Sequence, residues 1–537
     1  MTTLSSSHLV LIAGQWRPAQ SSASFHAENP ATGERLVDEY PVSTWADCDA
    51  ALAAAAEAAP VLRAAPPEQI ADFLTRFAGR IERQSAAIVE MAHLETGLPK
   101  SPRLGEVELP RTTGQLRQAA AAALEGSWAL PVIDTKLNLR SCLEPLGPVC
   151  VFGPNNFPFA YNSVSGGDFA AAFAAGNPVI AKAHPSHPGT TRLLAVEAAL
   201  ALQESGLPAS AVQMLYHVQN EEGLRLVSDP RLAALGFTGS RAAGMRLKAA
   251  ADAAGKPAYL EMSSLNPVVI LPGALAERGA EVAGEFAGSC LMASGQMCTK
   301  PGIALLFAGE DARAFIAAVK QKFEAAPVAP LLSAAVARGL RENIAVLQSA
   351  GAQVDTGATA SDGPGYRFAN TLLSVTGAQF LAEPEKLQTE AFGNASLCIL
   401  VDGAEQAASV LAHFDGNLTG SFYSDTRGSD DEVHALLEPL LRARVGRLLN
   451  DKMPTGVAVN PAMNHGGPFP ATGHPGFTAV GFPATLRRFA MLASYDNVRQ
   501  SRLPALLRDQ SPNPRLWRLI DAQWTQGSAG GAGSPPP

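Results

Sequence analysis

Hydrophobic positions along this chain follow two regimes that change near residue 146. Residues 1–40 intersperse short apolar runs with turn chemistry, of which Asn29-Pro30-Ala31-Thr32-Gly33 is the clearest, and predict short strands. An alanine-rich stretch follows. Ser43-Thr44-Trp45-Ala46-Asp47 offers capping side chains, residues 49–62 are strong helix formers, and Pro66-Pro67 opens a second helix that reaches about residue 84. The helical pattern continues over residues 85–95 and 104–124.

Beyond residue 146, short apolar runs alternate with helical segments. Residues 149–152, 178–181, 212–217 and 232–237 predict buried strands; residues 168–175 and 189–205 predict helices, the second stopping before Gly206-Leu207-Pro208. This alternation predicts a parallel sheet covered by helices. A second alternation from residue 267 to 401 and beyond makes two α/β domains the expectation. Residues 486–494 predict an extra strand, and residues 527–537, which contain only glycine, serine, alanine and proline, predict a disordered tail.

Length fits this picture, since 537 residues exceed what one hydrophobic core supports and call for two or three domains. A formal charge of −8 with no lysine and arginine run argues against a nucleic-acid partner. No apolar span of about 18 to 20 residues predicts a membrane crossing. The N-terminal segment carries an apolar patch at residues 9–13 without the basic start of a secretory signal, so a mature cytoplasmic protein is expected. Six cysteines, at 48, 142, 150, 290, 298 and 398, fit neither a disulfide framework nor metal-ligand pairs, so reduced thiols and no metal are expected.

Candidate chemistry then narrows the field. Gly295-Gln296-Met297-Cys298 puts a thiol on a flexible, glycine-led turn inside an apolar segment, where it is either a nucleophile or core filling. Gly239 and Gly244, between a predicted strand and a predicted helix, suit a phosphate-binding turn or a merely tight one. Asn156, after the strand at 149–152, is either an oxyanion donor or a turn residue. Lys182 ends another strand, as a cofactor contact or a solvated charge. Glu261, in apolar surroundings, is either a general base or a salt-bridged helix or strand end, and Glu390 is unremarkable alone.

Taken in order, Asn156-Phe157-Pro158, Lys182, Phe237-Thr238-Gly239-Ser240, Leu260-Glu261, Gly295-Gln296-x-Cys298 and Glu390-x-Phe392-Gly393 resemble the aldehyde dehydrogenase superfamily over about residues 10–495. The resemblance implies an α/β fold with a Rossmann-type cofactor domain (1–126 and 146–262) and a catalytic α/β domain (263–480). A small strand extension (127–145 and 481–510) would join subunits into homodimers or homotetramers, and residues 525–537 would form the disordered tail. It implies roles as well. Cys298 would attack an aldehyde carbon, Asn156 with the Cys298 N–H would hold the oxyanion, and Glu261 would activate water. Lys182 is expected on the adenosine ribose, Gly239, Ser240 and Gly244 near the pyrophosphate, and Glu390 with Phe392 on the nicotinamide ribose.

Departures from the common pattern point to a subgroup. Asn155 stands where many members have tryptophan, and Leu260-Glu261-Met262-Ser263-Ser264-Leu265 where many read Leu-Glu-Leu-Gly-Gly-Lys. These resemble a group that includes NADP-using fatty aldehyde dehydrogenases and 2,5-dioxopentanoate (α-ketoglutarate semialdehyde) dehydrogenases. Residues 111–117, Lys182-Ala183-His184-Pro185 and His465-Gly466-Gly467-Pro468-Phe469-Pro470-Ala471-Thr472 favour the latter. Pro185 stands where NAD-preferring relatives carry a glutamate that repels a 2′-phosphate, so NADP is the expected cofactor and NAD the alternative. Arg111 or Arg117 is expected on the distal carboxylate of the small-molecule aldehyde, unless both are surface arginines. Two other readings stand beside this one: a medium or long aliphatic aldehyde as substrate, and a catalytically silent binding or structural member of the family. Keeping Cys298, Glu261 and Asn156 together argues against the silent member.

Overall fold

The computed structural model describes residues 9–21 and 23–529. Its first sheet has seven strands in the order Ala258–Glu261, Ala234–Thr238, Val149–Phe152, Val179–Lys182, Val212–Leu215, Leu9–Ile12 and Gln15–Pro18. The first five are parallel and the last two antiparallel. Sequences such as Val-Cys-Val-Phe and Val-Gln-Met-Leu are buried almost throughout, which a strand covered on both faces requires. The chain lays down strands outward from Val149–Phe152 to Val212–Leu215, then returns to place Ala234–Thr238 on the other side. A crevice therefore opens between the carboxyl ends of Val149–Phe152 and Ala234–Thr238, the switch point at which open α/β sheets bind ligands.

The second sheet runs Gln353–Thr356, Thr371–Thr376, Ala395–Val401, Ile303–Phe307, Val268–Ile270, Asn417–Tyr423 and Val445–Asn450, parallel except at the Gln353–Thr356 edge. Side chains alternate between its faces with the strand period of two. Val268, Ile270, Ala304 and Leu306 join the core under helices Pro272–Leu291 and Glu310–Ala325, while Val269, Ile303 and Leu305 join the core on the opposite face.

A third sheet differs from expectation. Its order is Ala490–Asp496, Leu139–Pro145, Val132–Asp134, Arg518–Ile520 and Gln523–Thr525. Residues 486–489, expected to begin a strand, belong instead to the helical turn Ala484–Phe489 before it. The strands at 518–525 had no visible signal, because each is only three residues long and they meet at Asp521-Ala522, left-handed at φ 47 and 67, with no Asn-Gly pair to mark the turn. Order also persists past residue 525: the Arg518 guanidinium donates to the Gly527 carbonyl at 2.7 Å, and the Ala529 N–H donates to the Asp509 carbonyl at 2.8 Å. The rest of the expected tail, 530–537, lies outside the described residues. Among the described residues, no helix is long and apolar enough to cross a membrane.

One buried ion pair ties the third sheet's approach to the first sheet's helices. Arg488 lies in the turn just before Ala490–Asp496, and its guanidinium donates to Asp168 of helix Gly167–Ala174 at 2.7 Å, both side chains being buried. Truncating one member of such a pair strands the other charge. Arg488→Ala should therefore lower unfolding free energy by about 3–5 kcal/mol in a denaturant titration. A loss below about 1 kcal/mol, the range of exposed pairs, would mean that the pair is not structural.

Candidate active site

The crevice deepens into a cleft of about 910 Å³ between the first sheet and loops of the second. Asn156, Lys182, Gly239, Ser240, Glu261, Cys298, Glu390 and Phe392 all line it. Sequence separation among them is large, so the local devices that hold each one matter.

Cys298 follows helix Pro272–Leu291 through a tight turn in which Ala293, Ser294 and Gly295 are all left-handed, at φ 51, 55 and 67. A side chain at Gly295 would place its Cβ 2.0 Å from the Gly393 carbonyl oxygen, so only glycine fits. The expectation of a flexible turn is corrected here. The Leu332 N–H donates to Gln296 Oε1 at 2.8 Å, and the Asn156 side-chain amide donates to the Gln296 carbonyl at 3.0 Å. Asn266 donates to the carbonyls of both Cys298 and Lys300 at 2.9 Å. The nucleophile candidate sits on a strapped loop.

Asn156 has its own brace. The Arg103 guanidinium donates to its carbonyl at 3.0 Å and pairs with the fully buried Glu108, whose Oε1 accepts from the N–H groups of Phe159 and Ala160 at 2.8 and 3.0 Å. Glu261 ends an edge strand of the first sheet. Residues 471–473 lie along that edge, the Met262 N–H donating to the Ala471 carbonyl at 2.8 Å and the Gly473 N–H to the Leu260 carbonyl at 3.0 Å. This stitching carries in His465, a residue to which the sequence reading gave no role. Its Nε2 lies 2.9 Å from Glu261 Oε1 and 3.4 Å from Cys298 Sγ. Only the His465-Gly466-Gly467 segment marked it beforehand, and nothing in that spacing tells of a partner 167 or 204 residues away.

Electrostatics at the thiol work against ionisation in the free protein. Burial pushes the Cys298 thiol well above its ordinary range, the neighbouring Glu261 carboxylate pushes the same way, and Arg111 opposes them. A proton acceptor is therefore required before Sγ can attack anything. Burial likewise raises Glu390, partly offset by Lys300 and by hydrogen bonds from Ser263 and Ser264.

The remaining positions divide into those in the cleft and those outside it. Burial lowers Lys182 to about 8, and its Nζ lies 6.0 Å from the centre of the Phe152 ring. Ser240 caps helix Arg241–Ala253 by accepting from the Ala243 N–H at 3.4 Å, so the helix N-terminus opens on the cleft. Gly239 is also there, but its N–H is taken by the Glu261 carbonyl at 3.1 Å and leaves no donor for a phosphate. Gly244 lies outside. A Cβ there would meet Met262 Sδ at 2.9 Å and the Phe237 ring at 3.1 Å, so this glycine serves helix-to-strand packing. A half-buried lysine, a capped helix N-terminus and a roomy cleft at a switch point together fit a dinucleotide.

Arg117 is a correction. It forms a half-exposed ion pair with Glu82 and does not reach the cleft. Arg111 turns inward, donating to the Val457 carbonyl at 2.7 Å, Tyr161 Oη at 3.2 Å and Gln115 Oε1 at 3.1 Å. Arg447, which the sequence reading missed, holds the same loop, donating to the carbonyls of Pro454 at 2.7 Å and Gly456 at 3.1 Å.

Comparison with known proteins adds four findings. The aldehyde dehydrogenase family model matches residues 16–461. The chain is similar to alpha-ketoglutaric semialdehyde dehydrogenase 2 of Azospirillum brasilense, 37% identical over 520 residues that cover 94% of this chain and 98% of that protein. It is also similar to alpha-ketoglutaric semialdehyde dehydrogenase of Acinetobacter baylyi, 35% identical over 499 residues, covering 91% and 93%. Among solved structures, PnpE in complex with nicotinamide adenine dinucleotide has a similar fold, with a TM-score of 0.78 at 20% identity over 94% of this chain and 100% of that one.

The raised thiol makes a pH prediction. A group whose pKa is raised stays protonated to higher pH, so alkylation of Cys298 by iodoacetamide, read on its peptide by mass spectrometry, should keep accelerating through and beyond the ordinary thiol value of about 8.5. Glu261→Gln removes a charge that disfavours the thiolate and should move the profile to lower pH. A rate that levels off below about pH 7 would contradict the raised thiol.

Proposed function

Because this chain belongs to the aldehyde dehydrogenase family, we propose that it oxidises an aldehyde to the carboxylic acid through a thioester on Cys298, using NADP in preference to NAD. The substrate we assign is 2,5-dioxopentanoate, converted to 2-oxoglutarate.

The reaction begins with the thiol proton. A base must take it from Cys298 Sγ, and the two groups within reach are His465, whose Nε2 lies 3.4 Å from Sγ, and Glu261, whose Oε1 lies 2.9 Å from that nitrogen. The thiolate attacks the aldehyde carbon, and the carbonyl electron pair moves onto oxygen. Donors from the Asn156 amide and the Cys298 N–H hold that oxyanion in the thiohemiacetal. A nicotinamide cofactor would supply the acceptor for the hydride that leaves this carbon as the oxyanion pair re-forms the carbonyl and gives the thioester. Glu261 then takes a proton from water, the water oxygen attacks the thioester carbon, and Sγ leaves with its electron pair as the acid is released. Cofactor placement would come from Lys182 and Pro185 at the adenosine ribose, Ser240 with the Arg241–Ala253 N-terminus at the pyrophosphate, and Glu390 with Phe392 at the nicotinamide ribose. Pro185 brings no negative charge to repel a 2′-phosphate.

What carries the substrate assignment is the pair Arg111 and Arg447. Their polar contacts are to neutral groups, and among the described residues neither is paired with a carboxylate. Both charges are close enough to interact with Cys298. Two guanidiniums with no carboxylate partner and within electrostatic range of the reacting sulfur, though outside the cleft lining, favour an aldehyde that brings its own carboxylate and disfavour a purely aliphatic tail. The names of the two relatives point the same way. Self-association into homodimers or homotetramers is part of this reading, supported by Met491 and Leu492, 52% and 62% exposed on the edge strand Ala490–Asp496.

The test is a panel of aldehydes with and without a terminal carboxylate, each run with NADP and NAD and followed by reduced-cofactor absorbance. 2,5-Dioxopentanoate with NADP should give the highest kcat/KM. Arg447→Met should lower that value by about 10- to 100-fold, the range for losing a hydrogen bond to a charged group, and barely change oxidation of a neutral aldehyde of similar length. A neutral aldehyde as the best substrate, or equal losses on both, would overturn the assignment, and no oxidation of any aldehyde would overturn the activity.

A further inference from the structure

Three metal-ligating atoms of different chemistry converge where the nucleophile sits: a thiol sulfur, an imidazole nitrogen and a carboxylate oxygen. Ligand atoms of Cys298, His465 and Glu261 all lie within 4.8 Å of one another, with His465 Nε2 3.4 Å from Cys298 Sγ and 2.9 Å from Glu261 Oε1. We propose that this triad captures a divalent ion of the zinc class and that capture reversibly inhibits the enzyme by occupying the nucleophile.

Geometry supports it first. With metal–ligand bonds of about 2.0 to 2.3 Å, two ligands of one tetrahedral ion stand about 3.3 to 3.8 Å apart. The nitrogen–sulfur spacing of 3.4 Å falls in that range, and the nitrogen–oxygen spacing of 2.9 Å is a little short of it. An independent observation concerns Glu261, which is 1% exposed, lines the cleft and has a second oxygen, Oε2, buried without a hydrogen-bond partner. That carboxylate has an acceptor to spare in the same cluster as the thiol and the imidazole. The cleft supplies an entry path and room for water in the fourth position.

Charge and softness choose the ion. On binding, the thiol proton leaves to solvent and a metal–sulfur bond forms, so thiolate, carboxylate and a dication sum to zero, a favourable total in a buried site. A ligand set of thiolate, imidazole and one carboxylate suits zinc and cobalt far better than magnesium or calcium, which take oxygen ligands. Nearby charges act in both directions, Glu390 attracting the ion and Arg111 and Arg447 opposing it. The other five cysteines are buried, so Cys298 is the thiol that an ion arriving through the cleft would meet. His465 completes the set, since cysteine and glutamate alone would leave two protein ligands.

The inference rests on Cys298 being the nucleophile but on no particular substrate. Its test uses the full-length protein and metal salts without aldehyde. Cobalt(II) should bind at one ion per chain and produce the intense thiolate-to-metal charge-transfer absorption of a tetrahedral site, and zinc should displace it. Zinc should also slow iodoacetamide labelling of unmodified Cys298 by at least tenfold, with a chelator restoring the rate. Cys298→Ser should abolish the absorption and His465→Asn should weaken binding at least tenfold, in samples whose melting temperature and NADP binding show them folded. Absent absorption with unprotected Cys298, or binding equal in both variants and the parent, would overturn the proposal. A protein that passes these tests yet oxidises no aldehyde would keep the metal site while losing the assigned activity.

Discussion

The hydrogen-bonding distance between His465 and Glu261, with Cys298 Sγ at 3.4 Å from the same ring nitrogen, is the contact on which everything else in the site depends. Those groups belong to three remote parts of the chain. Glu261 ends an edge strand of the first sheet, His465 arrives with the segment laid along that edge, and Cys298 hangs from a loop of the second sheet's domain. Any shift of one body against the other would part them. Much of the surrounding structure can be understood as preventing such a shift. Gly295 lets two loops approach to a distance no side chain would allow, Asn266 and Asn156 strap the cysteine loop, and the Arg103–Glu108 pair fixes the asparagine turn.

Burial gives that contact its chemical character. A thiol held in a water-poor site beside a carboxylate resists ionisation, so the free protein keeps its sulfur protonated and comparatively inert. An imidazole nitrogen within reach of both the thiol and the carboxylate completes the set. Arg111 and Arg447 set the wider field. They hold the backbone of residues 454–457 with some of their N–H groups and leave positive charge near the sulfur, which suits an anionic substrate.

How much of this was legible in the sequence follows from how far each signal reaches. Buried parallel strands announce themselves as continuous apolar runs, so those at 149–152, 179–182, 212–215 and 234–238 were readable to within a few residues. Cys298, Glu261 and Asn156 stood out because motifs are local. His465 and Arg447 did not, because their meaning comes from partners brought near only by the fold. The same limit explains Arg111 and Arg117, which share a helix and a charge: one turns toward the loop at 457 and the other finds Glu82 at the surface. Gly239 and Gly244 read alike as letters, yet one lines the cleft with its amide already committed and the other is a packing glycine. Turn rigidity was equally hidden, since a glycine flanked by tertiary contacts looks in sequence like a flexible one.

The most direct test of the covalent route is to stop it halfway. Glu261→Gln, mixed with 2,5-dioxopentanoate and NADP and quenched after one turnover, should release about one equivalent of reduced cofactor per chain and then stall, because the water-activating carboxylate is gone. Mass spectrometry of the quenched protein should find the acyl group on the Cys298 peptide. Reduced cofactor formed with no adduct on that peptide, or an adduct on another residue, would contradict a thioester at Cys298.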